Sequence, residues 1–225
     1  MGAELRIGKV VSLPFDENTY IAHLADRADC LVFDPGFEPG QVVDYLERQG
    51  LSPAALLCTH GHSDHIGGNA ALKKRWADCP LLIGVGDAAK LTDPQLNLSA
   101  AFGVPVVSPR VDRTLAEGEQ FEGAGLTLAV LSTPGHSAGH VVFVCKQVSP
   151  WRVFGGDVLF RGSVGRTDFF DGDSETLRRS IHEKLFTLPD DTIVLPGHGP
   201  ATTIGNEKRT NPFVGAPAGY VLRST

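Results

Sequence analysis

One stretch decides both the fold and the chemistry of this sequence, Thr59-His60-Gly61-His62-Ser63-Asp64-His65. It places three histidines and one aspartate within six positions, directly after the apolar run 54–58. Imidazole and carboxylate groups are ligands for zinc, iron and manganese. Four such groups in one short loop cost little extra ordering entropy. The stretch therefore predicts a metal site at the end of a strand.

The spacing within this stretch predicts how its side chains are arranged. Alternate side chains of an extended segment share one face. We therefore expect His60, His62 and Asp64 to converge, and a turn into the following helix to bring His65 to the same place.

Three later positions offer further ligand-type side chains next to predicted strands. His136 follows a strand that ends before Thr133-Pro134, Asp157 precedes an apolar strand, and His198 follows the run 192–195. Their Gly and Pro neighbours allow the backbone to turn tightly around a metal. A single His beside Gly is more often a turn residue, but the first cluster favours a ligand role for all three.

Strand-like and helix-like runs alternate along the chain, separated by Gly and Pro, and their richness in Val, Ile and Leu is typical of a sheet covered by helices. We predict strands over 5–13, 19–23, 30–33, 54–58, 81–83, 126–131, 141–145, 158–160 and 193–195, and helices over 41–49, 68–76 and 174–186. The irregular segment 92–109 is predicted to be a loop or lid beside the site. Because no repeat or linker is visible, we expect one domain over residues 1–225.

Composition excludes several classes of protein. The 225 residues carry 20 Lys and Arg against 26 Asp and Glu, which argues against non-specific nucleic-acid binding. No apolar run has the roughly 18 residues of a membrane span, and charged residues within 1–15 argue against a signal peptide, so we expect a cytoplasmic protein without membrane contact. Four cysteines stand singly in apolar surroundings and are predicted to be buried free thiols.

The order H-x-H-x-D-H, then His136, Asp157 and His198, resembles the metallo-β-lactamase superfamily over nearly the whole chain. The resemblance implies an α/β fold, an αββα sandwich of two mixed β-sheets flanked by helices, with metals at one edge. Two further strings are similar to the short single-domain members of the glyoxalase II, or hydroxyacylglutathione hydrolase, branch. They are Gly165-Arg166-Thr167-Asp168-Phe169-Phe170 and Pro196-Gly197-His198-Gly199-Pro200.

The resemblance also implies a ligand set for two divalent ions, with zinc expected first and iron or manganese as alternatives. One ion would be held by His60, His62 and His136, the other by Asp64, His65 and His198, with Asp157 bridging both. A hydroxide shared by the two ions would attack a thioester carbonyl, and a thiolate would leave. The resemblance thus implies a dinuclear metallohydrolase in which the two aspartates are also the catalytic residues.

Arg166 and Asp168 are candidates for orienting the imidazole ligands from behind, if the pair is buried close to them. A structural ion pair that braces the loop before the last predicted helix is the alternative reading.

The substrate expected from this resemblance is a small thioester such as S-lactoylglutathione. Two-domain members carry a C-terminal helical region that helps to bind glutathione, whereas this sequence has 27 residues after His198. We therefore expect a small-molecule thioester partner, whether a glutathione conjugate or another thioester, and make no prediction of oligomeric state.

Other reactions compatible with the same ligands stay open. Persulfide dioxygenases of this superfamily use one iron, here on His60, His136 and Asp157, and carry a similar Gly-Arg-Thr-Asp-Phe string. A lactonase would use the same hydroxide chemistry. A nuclease is disfavoured by the acidic balance, and nothing in the sequence supports a metal-binding module without turnover.

Overall fold

The first sheet is built from the N-terminal half of the chain. A computed structural model describes residues 4–222, so the ends of the predicted domain 1–225 lie outside the described residues. The strands are β1 (Leu5–Ser12), β2 (Glu17–Leu24), β3 (Asp29–Phe33), β4 (Ser52–Cys58), β5 (Leu81–Gly84) and β6 (Arg113–Leu115). They lie side by side in chain order, antiparallel from β1 to β3 and parallel from β3 to β6.

The second sheet comes from the C-terminal half. Its strands are β7 (Gln120–Gly123), β8 (Leu126–Ser132), β9 (Val141–Cys145), β10 (Arg152–Gly156), β13 (Ile193–Pro196) and β14 (Thr202–Thr203). Their order is β14-β13-β10-β9-β8-β7, with β10 and β13 parallel and the other neighbours antiparallel. Between β10 and β13 in the sequence, β11 (Leu159–Phe160) and β12 (Ser163–Val164) form a separate hairpin.

Helices cover the outer face of each sheet. They are α1 (Pro39–Gln49), α2 (Ser63–Ile66), α3 (Asn69–Arg75), α4 (Ser174–Ser180), which continues as a π-helix over Ile181–Leu185, and α5 (Ile204–Thr210). Short 3₁₀ segments occupy Val85–Leu91, Ser99–Phe102 and Ala216–Ala218. Within residues 4–222, no helix has the length and apolar character needed to cross a bilayer.

Alternating side chains of the buried strands serve two different cores. In β3, Phe33 points between the sheets, whereas Val32 packs beneath α1 and α3 with Leu46 and Leu72. Strands buried on both faces read as continuous apolar runs in the sequence, as observed here. The layers are therefore helix, sheet, sheet, helix, and the predicted αββα sandwich is confirmed.

Several elements differ from the sequence prediction. Strand β10 was missed because Arg152 and the pair Gly155-Gly156 interrupt its apolar pattern. The predicted strand 158–160 is reduced to the two residues of β11, so Asp157 follows a strand rather than preceding a long one. Strands β6, β7, β12 and β14 and helices α2 and α5 were also missed, whereas the four cysteines are free and buried as predicted.

Phe154→Ala tests the packing between the two sheets. Phe154 is fully buried and stacks on Phe33 with ring centroids 3.7 Å apart. Because its removal leaves a cavity, we expect the free energy of unfolding to fall by about 3–5 kcal/mol in chemical denaturation. Phe213, which is 58% exposed, is the matched control, and Phe213→Ala should change stability by no more than about 0.5 kcal/mol. Equal losses in both variants would contradict this account of the core.

Candidate metal centre

The seven predicted ligand residues meet at one edge of the sandwich. His60 and His62 follow β4, His136 lies in the turn after β8, Asp157 directly follows β10, and His198 follows β13. Each of these residues thus comes after the carboxyl end of a strand, which is where open α/β sheets place their sites. The two sheets therefore contribute side chains to a single cluster.

Asp64 and His65 reach the cluster differently from the sequence prediction. The chain turns into α2 at Ser63, so Asp64 is helical and does not share an extended face with His60 and His62. Its Oδ2 atom lies 3.7 Å from His65 Nε2 and 3.4 Å from His198 Nε2. The short helix therefore delivers two adjacent residues to one side of the centre.

The donor atoms fall into three overlapping groups, each within 4.8 Å. They are His60, His62 and His136; Asp64, His65 and His198; and His60, His65 and Asp157. The first two are the sets that the family resemblance assigns to two ions, and the third contains the residue assigned as the bridge. The number of ions stays a prediction.

Asp157 faces members of both three-ligand sets. Its Oδ1 atom lies 3.4 Å from His65 Nε2, and its Oδ2 atom lies 3.6 Å from His136 Nε2 and 3.4 Å from His198 Nε2. One carboxylate can therefore contact cations on either side, which is the geometry a bridging ligand needs.

Several buried donor atoms of this cluster have no hydrogen-bond partner. They are the Nε2 atoms of His60, His62 and His65 and the Oδ1 atom of Asp157. A buried polar atom without a partner costs about 1–3 kcal/mol, so native proteins seldom leave one, and four together are unusual. These residues fit a metal centre, because cations held by the two three-ligand sets and Asp157 would satisfy all four atoms.

The second nitrogen of several ligand imidazoles is fixed by the protein. His136 Nδ1 donates to the carbonyl of Arg166 at 2.8 Å, and His198 Nδ1 donates to the carbonyl of Phe15 at 2.9 Å. His65 Nδ1 lies 3.2 Å from a carboxylate oxygen of Asp34. Such contacts select the tautomer that carries no hydrogen on Nε2, the nitrogen that faces the other ligands.

The pKa shifts divide the cluster into a side with neutral imidazoles and a side on which positive charge is favoured. Burial, followed by repulsion from the other imidazoles, lowers the pKa of His60 and His62 well below the usual value. Burial also opposes a charged His198, but contacts with Asp157 and Asp64 raise its pKa to about 10. The first side thus offers neutral donors, and the carboxylates favour positive charge on the other, which a metal ion supplies.

Asp34 is a functional residue that sequence reasoning missed. It directly follows β3, and its carboxylate accepts hydrogen bonds from the backbone N–H and hydroxyl of Thr59 at 2.6 and 2.7 Å as well as facing His65. The available signal was an acidic residue between a buried strand and Pro35-Gly36. Asp34 thereby connects two ligand-bearing elements.

His140, which was given no metal role, holds Asp157 in place. Its Nε2 atom accepts a hydrogen bond from the backbone N–H of Asp157 at 3.1 Å, and its ring stacks on that of His60 at 4.9 Å. Burial lowers the pKa of His140 well below the usual value, which keeps the ring neutral and able to accept.

The expectation of a buried Arg166–Asp168 pair is wrong. Their side chains are 64% and 67% exposed, and they pair with each other through two hydrogen bonds of 2.7 Å. The guanidinium lies over the ring of Phe169, 4.5 Å from its centroid. The contact with a ligand comes from the backbone carbonyl of Arg166, which accepts from His136 and needs no particular side chain.

A buried ionic group ties the two histidine loops together. The Asp87 carboxylate accepts from the backbone N–H groups of Gly61 and Gly139, both at 2.8 Å, and from the hydroxyl of Ser137. Lys90 balances this charge and also pairs with Asp171 at 2.7 Å. Because Gly61 lies between two ligands and Ser137 follows a third, this group fixes their relative positions.

Gly197 allows the last ligand loop to approach the centre. A Cβ atom at this position would lie 2.3 Å from Asp157 Oδ1 and 2.6 Å from His65 Cε1. No side chain fits there without displacing a ligand, which explains the glycine before His198.

Comparison with known proteins gives consistent results. The sequence profile of the metallo-beta-lactamase superfamily matches residues 13–198. The probable metallo-hydrolase YqgX of Bacillus subtilis is 40% identical over 202 residues, covering 89% of this chain and 93% of that protein. The hydroxyacylglutathione hydrolase GloC of Haemophilus influenzae is 40% identical over 192 residues, covering 84% and 89%.

Solved structures share the whole fold. The B3 metallo-beta-lactamase BLEG-1 has a TM-score of 0.88 at 36% identity, covering 93% of this chain and 99% of that one. TTHA1623 in a di-iron-bound form has a TM-score of 0.81 at 38% identity, with 92% and 99% coverage. ETHE1 from Myxococcus xanthus has a TM-score of 0.76 at 27% identity, with 94% and 85% coverage.

Asp34→Asn tests whether Asp34 positions the centre. The amide keeps the size of the side chain but cannot accept from Thr59 and His65 through two charged oxygens. We expect affinity for zinc to fall about 10- to 100-fold in a competitive chelator titration, with folding checked by circular dichroism. Asp29→Asn, at the start of the same strand and paired with Arg27, is the control and should match the wild type. Unchanged zinc affinity in folded Asp34→Asn would refute the role.

Proposed function

Because the chain belongs to the metallo-beta-lactamase superfamily, we propose that it is a metal-dependent hydrolase that cleaves small thioesters. The observation that carries the proposal is the set of buried donor atoms without hydrogen-bond partners among His60, His62, His65 and Asp157. The likeness to the hydroxyacylglutathione hydrolase GloC supports the thioester, with S-lactoylglutathione as the first substrate to test.

The ligand residues would hold the ions in the two sets already described. His60, His62 and His136 form one set, Asp64, His65 and His198 form the other, and Asp157 faces both. When bound, two divalent cations lower the pKa of water toward neutrality and polarise a carbonyl oxygen. We propose zinc first, with iron supported as an alternative by the di-iron-bound form of TTHA1623.

The protein's own groups would position the reactants. The carboxylates of Asp64 and Asp157 are 18% and 11% exposed, so each can accept a hydrogen bond from an attacking water while holding a cation. A thiolate is a good leaving group, so the reaction needs no strong acid. This agrees with the three donor groups found within residues 4–222, in which both carboxylates, from Asp64 and Asp157, are themselves candidate ligands.

A cavity of about 660 Å³ opens directly onto the cluster and has room for a small substrate. Asp64, Asp157 and His198 form part of its floor, and Phe102 and Phe169 form part of its walls. The apolar walls would exclude bulk water from the reacting groups and so strengthen the electrostatic interactions there.

A second candidate is a persulfide dioxygenase with a single iron. Its expected ligands are His60, His136 and Asp157, and two imidazoles with a carboxylate suit non-haem iron. The donor atoms of His60 and His136 lie within 4.8 Å of each other, and His136 Nε2 lies 3.6 Å from Asp157 Oδ2. The structural likeness to ETHE1 also supports it. Asp64 and His198 favour hydrolysis, because a single-iron centre leaves them without a cation to bind.

Metal analysis combined with two assays separates these functions. We expect about two ions per chain in the purified protein and hydrolysis of S-lactoylglutathione with release of free thiol. One iron per chain, with oxygen uptake on glutathione persulfide and no thioester cleavage, would instead establish the second candidate.

Asp157→Ala tests the bridging role by comparison with Asp64→Ala. Because Asp157 faces both sets, we expect its removal to lower the content of both ions and to reduce thioester hydrolysis by several orders of magnitude. Removal of Asp64, which faces His65 and His198 of one set, should weaken one ion and spare the other. Two retained ions in folded Asp157→Ala would exclude a bridge.

A further inference from the structure

The cavity above the metal centre has mostly apolar walls. Apart from the candidate ligands, most of its lining is apolar, supplied by Phe15, Phe102, Phe160 and Phe169 with Leu98, Ala101 and Val164. Phe102 and Phe15 are 62% and 38% exposed, although they contact each other with ring centroids 5.5 Å apart. Large apolar side chains exposed at the mouth of a site indicate an apolar binding partner.

The apolar wall is held in place by buried hydrogen bonds. The side chain of Asn97 is fully buried and donates to the carbonyls of Lys90 and Val106 at 3.0 and 2.9 Å. Its Oδ1 atom accepts from the backbone N–H and hydroxyl of Ser99. The segment that carries Leu98 and Phe102 is therefore a fixed wall of the cavity, and no ordering cost is needed to form it.

The polar groups of the lining are largely used within the protein. Asn97 makes all of its bonds internally, as described above. Arg166 is the single Lys or Arg among the lining residues described, and its guanidinium is engaged in two hydrogen bonds with Asp168. A substrate with several charged groups would therefore find few partners on these walls, and an unpaired charge on an apolar wall is unfavourable.

We propose that the preferred substrates are thioesters that carry an apolar acyl group on an uncharged thiol, and that glutathione conjugates are cleaved less efficiently. This inference rests on the proposed function and narrows it to a substrate class. Glutathione carries two carboxylates and an ammonium group, for which the apolar walls offer few partners. The apolar acyl chain of the proposed substrates packs against Phe15 and Phe102. Each methylene that leaves water for this wall contributes about 0.8 kcal/mol, or about fourfold in an affinity.

The test uses the metal-loaded full chain and one uncharged carrier, N-acetylcysteamine, with acetyl, butanoyl and hexanoyl groups. We expect kcat/KM to rise about fourfold per methylene. The same acyl groups on glutathione should give no higher values. A flat or falling acyl series overturns the inference, and so does a tenfold preference for the glutathione thioesters. If Arg166→Gln abolishes such a preference, the guanidinium is the group that recognises glutathione.

Matched phenylalanine variants locate the effect. Phe102→Ala should lower the ratio of kcat/KM for the hexanoyl thioester to kcat/KM for the acetyl thioester about tenfold. Phe213 is similarly exposed but lies outside the cavity lining, so Phe213→Ala should leave kcat/KM for both substrates unchanged. Equal losses for both substrates in Phe102→Ala would contradict a contact with the acyl chain.

A binding measurement separates this inference from the proposed function. S-hexyl-N-acetylcysteamine, a thioether that cannot be hydrolysed, should bind by calorimetry at least tenfold more tightly than S-ethyl-N-acetylcysteamine, and Phe102→Ala should reduce this difference in affinity about tenfold. Thioester cleavage without this preference overturns the substrate class and leaves the function intact. Absence of all thioester cleavage refutes the proposed function and the substrate class with it.

Discussion

Two carboxylates enclosed by imidazoles are the constraint from which the rest of this structure follows. Asp157 is largely buried, and together with Asp64 it brings two negative charges into a cluster whose remaining donors are histidines. Burial of unpaired charge is unfavourable. Without a metal, protonation of His65 and His198 compensates the two carboxylates, and the pKa values of both histidines are accordingly raised. A divalent cation compensates the same charge. A metal centre also binds the Nε2 atoms of His60 and His62, which protonation of His65 and His198 leaves without a partner.

The fold stabilises this charged cluster because buried residues outside the ligand set hold several of the ligands in position. Asp34 links Thr59 to His65, His140 holds the backbone of Asp157, and Asp87 ties Gly61 to Gly139. These partners lie in a well-packed core between sheets and helices, so small shifts of a ligand would have to displace buried neighbours. Metal affinity and fold stability are therefore coupled, because a bound ion stabilises the same loops that the core positions.

The ligands could be predicted from sequence, whereas the groups that support them could not. His60 to His65 form a dense local cluster, and His136 and His198 are marked by Gly and Pro neighbours, so short stretches of sequence identify them. Asp87 acts through contacts with Gly61 and Gly139, which are 26 and 52 residues away, and Lys90 contacts Asp171 at a separation of 81 residues. No local pattern encodes such pairings. Arg166 shows the converse error, because its motif suggested a side-chain role that its backbone carbonyl performs.

The same division explains why the reaction is easier to infer than the substrate. The ligand residues sit at strand ends, where the backbone geometry is set by the sheets, and they determine which ions and which bond-breaking chemistry the site supports. The cavity walls come instead from the loop after β1, the 3₁₀ segment Ser99–Phe102 and the hairpin β11–β12, whose cavity-lining rings Phe15, Phe102 and Phe160 lie outside the three buried core clusters. Loops of this kind vary without cost to the fold, so a shared metal centre does not imply a shared substrate. The exposed rings of Phe15 and Phe102 therefore say more about what this chain binds than its ligand motif does.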